Sequence, residues 1–331
     1  MSITRTYYQI VVGGINVTST FAPILIDLSV TDKVGTHSDT ATIKVDDTDA
    51  RVRMPRTGDP VTISIGYTTG GAAVVFEGTV DEVKADGNRG SGRTVTVTAK
   101  GFDTTARVKE PQQRHFDDDT VQGILDKAAK DADISSVEVS DGLGSVKRKF
   151  LEMRDESFLH LGERLAREIG GNFKIKGDKA FITKRNAGSN GSVAATWGVN
   201  LMSYSISPKL GRSQFKTTKG RWYDKAEAVW KDTKKTTTIN GAKAEITSRF
   251  ILSDQDEAEQ RTDSDKATSE RDAGEGSVTI ELAPSAQPDG QCIVSVGKAG
   301  IDGSYRIETV SHKVSRSGAT TNLELKHPEQ S

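Results

Sequence analysis

Five histidines, one cysteine and 46 acidic residues are the side chains of this 331-residue sequence best equipped for acid–base, nucleophilic or metal chemistry. The histidines are His37, His115, His160, His312 and His327. None stands at a metal-ligand spacing to another histidine or to the cysteine, and neither HExxH nor CxxC occurs. His160 falls within a helical pattern but off its apolar stripe, and His312 falls in a strand pattern; both read as structural positions. Cys292 lies in the strand-like run 291–296 and reads as a buried, inert thiol. The acidic run Asp46, Asp47, Asp49 invites a calcium ion. It lacks the glycine at the sixth position and the glutamate at the twelfth that an EF-hand loop needs, so it reads as a solvated turn. Asp117, Asp118 and Asp119 read as a helix cap, because a helical stripe starts directly after them. No GxxxxGKS/T, no GxGxxG between a strand and a helix, and no GxSxG is present. A carboxylate pair for glycosidic cleavage is set by separation in space, which spacing along the chain does not reveal. We therefore assign no catalytic, cofactor-binding or metal-binding residue and no cofactor, and expect no enzyme.

One stretch suggests binding rather than catalysis. Lys209, Arg212, Lys216, Lys219, Arg221, Lys225 and Lys231 are interleaved with Phe215, Trp222, Tyr223 and Trp230. Basic residues among aromatics can hold single-stranded nucleic acid on a β-barrel. The simpler reading is a loop and two strands carrying solvated lysines. The formal net charge of −1 favours it, since the chain has no overall field to draw it to nucleic acid or an anionic membrane.

The elements around these residues are mostly strands. Period-two alternation, with one buried and one wet face, runs through 7–12, 24–30, 40–45, 61–67, 74–83 and 94–99. Glycine- and aspartate-rich turns separate these runs. The period then changes. Val121, Ile124, Leu125 and Ala128 recur at helical spacing, and a second helix beginning near Asp155 carries Phe158, Leu161, Leu165 and Ile169 on one stripe. Gly170-Gly171 ends it, and a hairpin follows at 172–176 and 179–183 with the turn Gly177-Asp178. Residues 186–192 read as a flexible break. Strands return at 200–207 and 221–238. A charged segment at 254–272 reads as a helix that is solvent-exposed or needs a partner surface. Further strands fall at 277–282, 291–296, 305–314 and 320–325.

The expected fold is mainly β with an α+β insert: two small, mutually related β-barrel domains at 1–108 and 188–331, with a small helix and hairpin domain at 109–187. The charged helix near 254–272 belongs to the second barrel in this layout. No short internal repeat is visible; the repeat is coarse, one β-domain before the insert and one after it. With 34% hydrophobic and 27% charged residues the composition is that of a soluble globular chain. The lone cysteine points to a reducing compartment. The N-terminus shows no signal peptide, and no apolar stretch is long enough for a membrane helix.

Several motifs, in order, carry a resemblance. Arg114-His115-Phe116-Asp117, Thr120-Val121 and Ile124-Leu125 open the middle region. Asp155-Glu156-Ser157-Phe158-Leu159, Leu161, Arg164-Leu165-Ala166, Glu168 and Gly170-Gly171 follow, then the hairpin from Phe173. Gly303-Ser304-Tyr305-Arg306-Ile307, Val310-Ser311-His312 and 320–325 come near the end. This order resembles the phage late control D proteins, which are tail or baseplate hub proteins of contractile-tailed phages and related injection machines. The resemblance covers about 110–185 and 254–326 by motif and the rest by element order. It implies a virion structural protein, assembled in the host cytoplasm and working as a homotrimer. Its six related barrels would form a pseudo-sixfold ring between the tail tube protein and a central spike protein, with baseplate wedge proteins as further partners. The charged helix would then face a partner or solvent. Some hubs carry a fused lysozyme or spike; this sequence ends just after its closing strand, so a separate spike is expected. Direct nucleic-acid binding and membrane insertion are not expected. Two other classes stay open at this point: a tail-associated cell-wall hydrolase, revealed by zymogram activity, and a nucleic-acid-binding barrel, revealed by salt-dependent binding.

Overall fold

The computed structural model describes residues 5–35, 38–90, 92–102, 107–185, 191–207, 215–239, 241–271 and 275–326. His37, His327, most of the expected break at 186–192, Lys209 and Arg212 lie outside the described residues.

The N-terminal strands are β1 (Thr6–Val12), β2 (Ile15–Asn16), β3 (Leu25–Lys33), β4 (Thr40–Asp46), β5 (Pro60–Tyr67), β6 (Gly71–Asn88) and β7 (Gly92–Lys100), with a one-turn helix α1 (Thr18–Phe21) after β2. The alternation in the sequence becomes burial. Leu28 and Val30 of β3, Ala41, Ile43 and Val45 of β4, Val61, Ile63 and Ile65 of β5, and Val95, Val97 and Ala99 of β7 all enter one core. Ile10 of β1 and Phe76 and Val80 of β6 complete it, so the sheet curls around a single apolar interior.

The middle unit comprises β8 (Gln112–Thr120), α2 (Val121–Ala129), β9 (Ser136–Val139), β10 (Lys147–Glu156), α3 (Phe158–Ile169), β11 (Gly171–Lys176) and β12 (Lys179–Lys184). The aspartate cap expected at its first helix is corrected. Asp117, Asp118 and Asp119 are part of β8, which pairs with β10. The cap is Thr120, whose Oγ1 accepts from the Gly123 N–H at 3.1 Å. Asp119 instead pairs with Lys127 at 2.8 Å. Thr120→Ala should therefore cost about 1 kcal/mol by urea denaturation, and Asp117→Ala should cost far less. The second helix starts after Ser157, which caps the His160 N–H, and stops at Gly170, whose φ of +75° is the left-handed conformation glycine tolerates. The stripe read from the sequence is buried: Phe158, Leu161, Leu165 and Ile169 all join the middle core.

The third stretch holds β13 (Ser192–Thr196), β14 (Leu201–Ser207), β15 (Phe215–Asp224), β16 (Val229–Thr236), β17 (Ala244–Leu252), α4 (Gln255–Arg271), β18 (Glu275–Glu281), β19 (Gln291–Ser295), β20 (Gly303–Ser315) and β21 (Gly318–Lys326). Six of these strands surround a core of their own that includes Leu201, Val278, Ile280, Val294, Ile307 and Leu323. They join the N-terminal strands in one sheet of order β14-β18-β21-β20-β3-β4-β7-β6-β5-β1-β2, with β19 on β20 and β13 on β19. The two halves share a topology. β3-β4-β7-β6-β5-β1 on one side matches β14-β18-β21-β20-β19-β13 on the other in chain order, except that β13 runs parallel to β19 where β1 runs antiparallel to β5.

Residues 215–271 stand apart from that sheet. β16, β15 and β17 form a separate three-stranded sheet, and α4 lies across one face of it. The helix has no apolar stripe. It approaches closely because the facing residue is Gly220; a β-carbon there would lie 2.7 Å from Thr262 Oγ1 and 3.0 Å from the Ala258 carbonyl. Thr218 Oγ1 donates to the Thr262 carbonyl at 3.2 Å, and Glu270 accepts from the Thr238 N–H at 2.7 Å. Another side of α4 meets α3, where Ser264 Oγ donates to the Arg167 carbonyl at 2.9 Å. The surface this charged helix needs is thus supplied by its own chain.

Candidate assembly surfaces

The candidate chemistry is dispersed. His115 is exposed on β8, 3.7 Å from Asp117, and His160 is exposed on α3. His312 is buried on β20 with Nδ1 3.0 Å from Thr321 Oγ1, and burial pulls its pKa down to about 4. Cys292 is buried in β19, and burial pushes its thiol up to about 12. Asp46 accepts from both the N–H and the hydroxyl of Thr48, and Asp47 from the Val52 N–H, so the acidic run is a self-bonded turn. Among the described residues no group of three or more His, Cys, Asp or Glu side chains could hold a metal ion. No helix among them is long and apolar enough to cross a membrane.

The basic and aromatic stretch is divided by its strands. Trp222 and Lys231 lie together on one face, the ammonium 5.6 Å from the ring centroid. Lys231 is also held by Asp224 at 2.7 Å and Glu227 at 3.0 Å. Tyr223 and Trp230 form an edge-to-face pair on the other face, with centroids 5.2 Å apart. Arg221 pairs with Asp232 at 3.0 Å, and Lys219 pairs with Glu245. Cations already matched to carboxylates release fewer counterions from nucleic acid, so this face is poorly built for a phosphate backbone.

What the structure does bring together is a seam. Antiparallel pairing from Thr309↔Lys33 to Ser315↔Asp27 joins β20 to β3 and so fuses the two halves. Beside it lies a cleft of about 410 Å³, walled by both halves and by the middle-unit hairpin. Lys174 of β11 reaches across it to Asp32 and Asp39, with Nζ 2.6 Å from an oxygen of each. Burial and the neighbouring Asp32 raise Asp39 to about 6, against the pull of Lys174. Burial opposes the charge on Lys174, but the two carboxylates outweigh it and raise its pKa. Arg306 and Asp289 pair at 2.6 Å in the same region. Sequence reasoning missed this cluster. Lys174 sits 142 residues from Asp32, and its place in a hairpin does not distinguish it from Lys176.

The remaining surfaces suited to partners are strand edges. Among the described residues β14 has a strand, β18, on one side and a single bridge from Trp197 to Leu201 besides, and no charge occurs between Leu201 and Ser207. Met202 is 53% exposed, and Tyr204, 38% exposed, stacks edge-on against Trp197 with centroids 5.7 Å apart. A long uncharged edge carrying exposed apolar side chains is a template for another strand.

No family model matches the chain. A probable baseplate hub protein of Escherichia phage 186 is 26% identical over 230 residues, or 69% of this chain and 56% of that protein. A probable baseplate hub protein of Escherichia phage P2 is 27% identical over 187 residues, 56% of this chain and 47% of that protein. The chain thus spans about half the length of the curated relatives it matches. Among solved structures, the 43 kDa tail protein of prophage MuSo2 from Shewanella oneidensis superposes with a TM-score of 0.72 at 16% identity, covering 98% of each chain. The resemblance read from 110–185 and 254–326 is borne out: in sequence the chain is a relative of phage baseplate hub proteins, and in fold it is like a phage tail protein.

Proposed function

We propose that this chain is a structural hub of a phage or phage-like tail baseplate, acting as a homotrimer whose pseudo-sixfold ring joins the tail tube to the central spike. The observation that carries the reading is the duplicated strand order: two six-stranded halves of the same order joined edge to edge in one chain. Three such chains carry six similar halves, so a ring of three can meet sixfold neighbours on one side and threefold ones on the other. Kinship to baseplate hub proteins supports the same reading. So does the placement of the titratable groups, which serve turns, ion pairs and buried packing. The tube, spike and wedge proteins are the proposed partners, and the virion tail, assembled in the host cytoplasm, is the proposed location. Light scattering on the purified full chain is expected to give the mass of three chains. A stable monomer that joins neither tube nor spike protein would overturn the reading.

A further inference from the structure

Over β3, β4, β7 and β6 and their counterparts β14, β18, β21 and β20, the two halves match beyond their strand order; they match in register. The β6–β7 ladder slips between Val80 and Glu82, and the β20–β21 ladder slips between Ile307 and Thr309. Lys100 pairs with Thr79, and Lys326 pairs with Arg306, one step before each slip. The β3–β4 ladder slips between Leu25 and Asp27, and the β14–β18 ladder between Leu201 and Ser203. Thr31 pairs with Thr40 as Ser207 pairs with Glu275. Position 85 of β6 therefore corresponds to 312 of β20, and position 206 of β14 to 30 of β3.

One pairing of the repeat is made only once. β20 gives its first residues to β19 and then, from Thr309 to Ser315, takes β3 along the same edge. β6 likewise gives its first part, Gly71 to Thr79, to β5. Among the described residues no strand occupies the corresponding edge of its outer part, and none occupies the outer edge of β14. Burial records the difference. Leu28, Val30, His312 and Val314 are buried in the seam. Their counterparts Tyr204, Ala85 and Gly87 are exposed, and Ile206 is half-buried.

We propose that copies of this chain join head to tail, the outer edge of β14 in one copy pairing antiparallel with the outer part of β6 in the next, in the register of the internal β20–β3 seam. Transferring that register sets Ala85 opposite Ile206, Asp86 opposite Ser205, Gly87 opposite Tyr204, and Asn88 opposite Ser203. The side chains fit this exchange. Where the seam sets Leu28 against Val314, the proposed contact sets a large Tyr204 against a glycine, so the ring can lie over bare backbone. Each copy offers one edge of each kind. Such a heterologous contact leaves no edge open only when the ring closes. The inference rests on the ring reading above and names the surface that builds it.

The test is cysteine cross-linking in the full chain, whose own Cys292 is buried. Two double variants, Ala85→Cys with Ile206→Cys and Asp86→Cys with Ser205→Cys, sample neighbouring pairs. One of the two has the closer, non-hydrogen-bonded geometry. Mild oxidation is expected to yield covalent products up to three chains in at least one of them. The single variants, and the off-register pair Glu82→Cys with Ser203→Cys, should stay below a tenth of that yield. Tyr204→Asp, at an exposed position, should keep the circular dichroism spectrum and weaken association at least tenfold. Three-chain particles without cross-links, or association untouched by Tyr204→Asp, would overturn this pairing and leave the hub reading standing. A wild-type chain that stays monomeric and joins neither tube nor spike protein would overturn both.

Discussion

Replacing Lys174 with methionine is expected to cost about 3 kcal/mol at pH 7.5, and clearly less at pH 5. Lys174 is the cation between Asp32 and Asp39, and all three side chains are mostly buried, 22%, 24% and 10% exposed. Removing one partner of a buried ionic cluster leaves charge that neither water nor protein satisfies, typically a loss of 3–5 kcal/mol. The residual exposure of Asp32 places the effect at about the lower end of that range. The pH dependence follows from the signs. Lys174 is raised, so its contribution is fully present below its ordinary value and constant between pH 5 and 7.5. Asp39 is raised to about 6, so the folded state holds its proton more tightly than the unfolded chain does. The penalty of its charged form is therefore absent at low pH and grows as pH rises from the unfolded value through 6. Without Lys174 that penalty is larger and keeps growing to higher pH, so acidification relieves the variant more than the wild type. His312, drawn down to about 4, destabilises the fold below its ordinary value in both proteins alike, so it cancels from the comparison. Urea midpoints of both proteins at the two pH values measure the effect. Equal deficits at pH 5 and pH 7.5 would show that Lys174 is not acting through these carboxylates.

This cluster also marks where reading from the sequence stops. Most strands of both halves were legible because one buried and one wet face impose period two, and Ala41, Ile43 and Val45 obey it closely, but β13 was passed over. The helix at 158–169 was legible for the same reason at period 3.6. β8 was not, because it is half of a two-stranded sheet, and its residues Asp117 and Asp118 are exposed on both faces. No period marked it as a strand, and its aspartates were read as the start of the helix. The charged helix at 255–271 was found, but not what it packs on, since the contact is made by Gly220, Ala258 and Thr262 rather than by an apolar stripe. The duplication was visible only coarsely. Matching positions differ in chemistry because their surroundings differ: Leu28 lies in a covered seam, while its counterpart Tyr204 lies on an open edge. The insertion of 215–271 between β14 and β18, where the first half has a short turn between β3 and β4, hides the repeat further. Pairing register carries the repeat, and register is set in three dimensions.

The middle core allows the sharpest mutational test, because one contact there should reverse the sign of a substitution. Phe173 of β11 is buried edge-on against Phe158, with ring centroids 6.0 Å apart, and its ring covers Gly162 of α3. Phe173→Ala is expected to cost about 3–5 kcal/mol, the usual range for emptying an aromatic site. Gly162→Ala alone faces two opposed effects. Alanine favours the helix interior by about 1 kcal/mol over glycine. Its β-carbon would however fall inside contact distance of the Phe173 ring, and overpacking costs about 1–3 kcal/mol. The net result should be a loss of up to about 2 kcal/mol. In the Phe173→Ala background the obstruction is gone and the new methyl enters a cavity. There Gly162→Ala should stabilise by about 1 kcal/mol. Urea denaturation of the four proteins closes the cycle, and residues in contact are expected to couple by about 1–3 kcal/mol. If Gly162→Ala has the same effect with and without the Phe173 ring, α3 does not rest on β11 through this contact. The approach of helix to hairpin that carries Lys174 into the cleft would then need another cause.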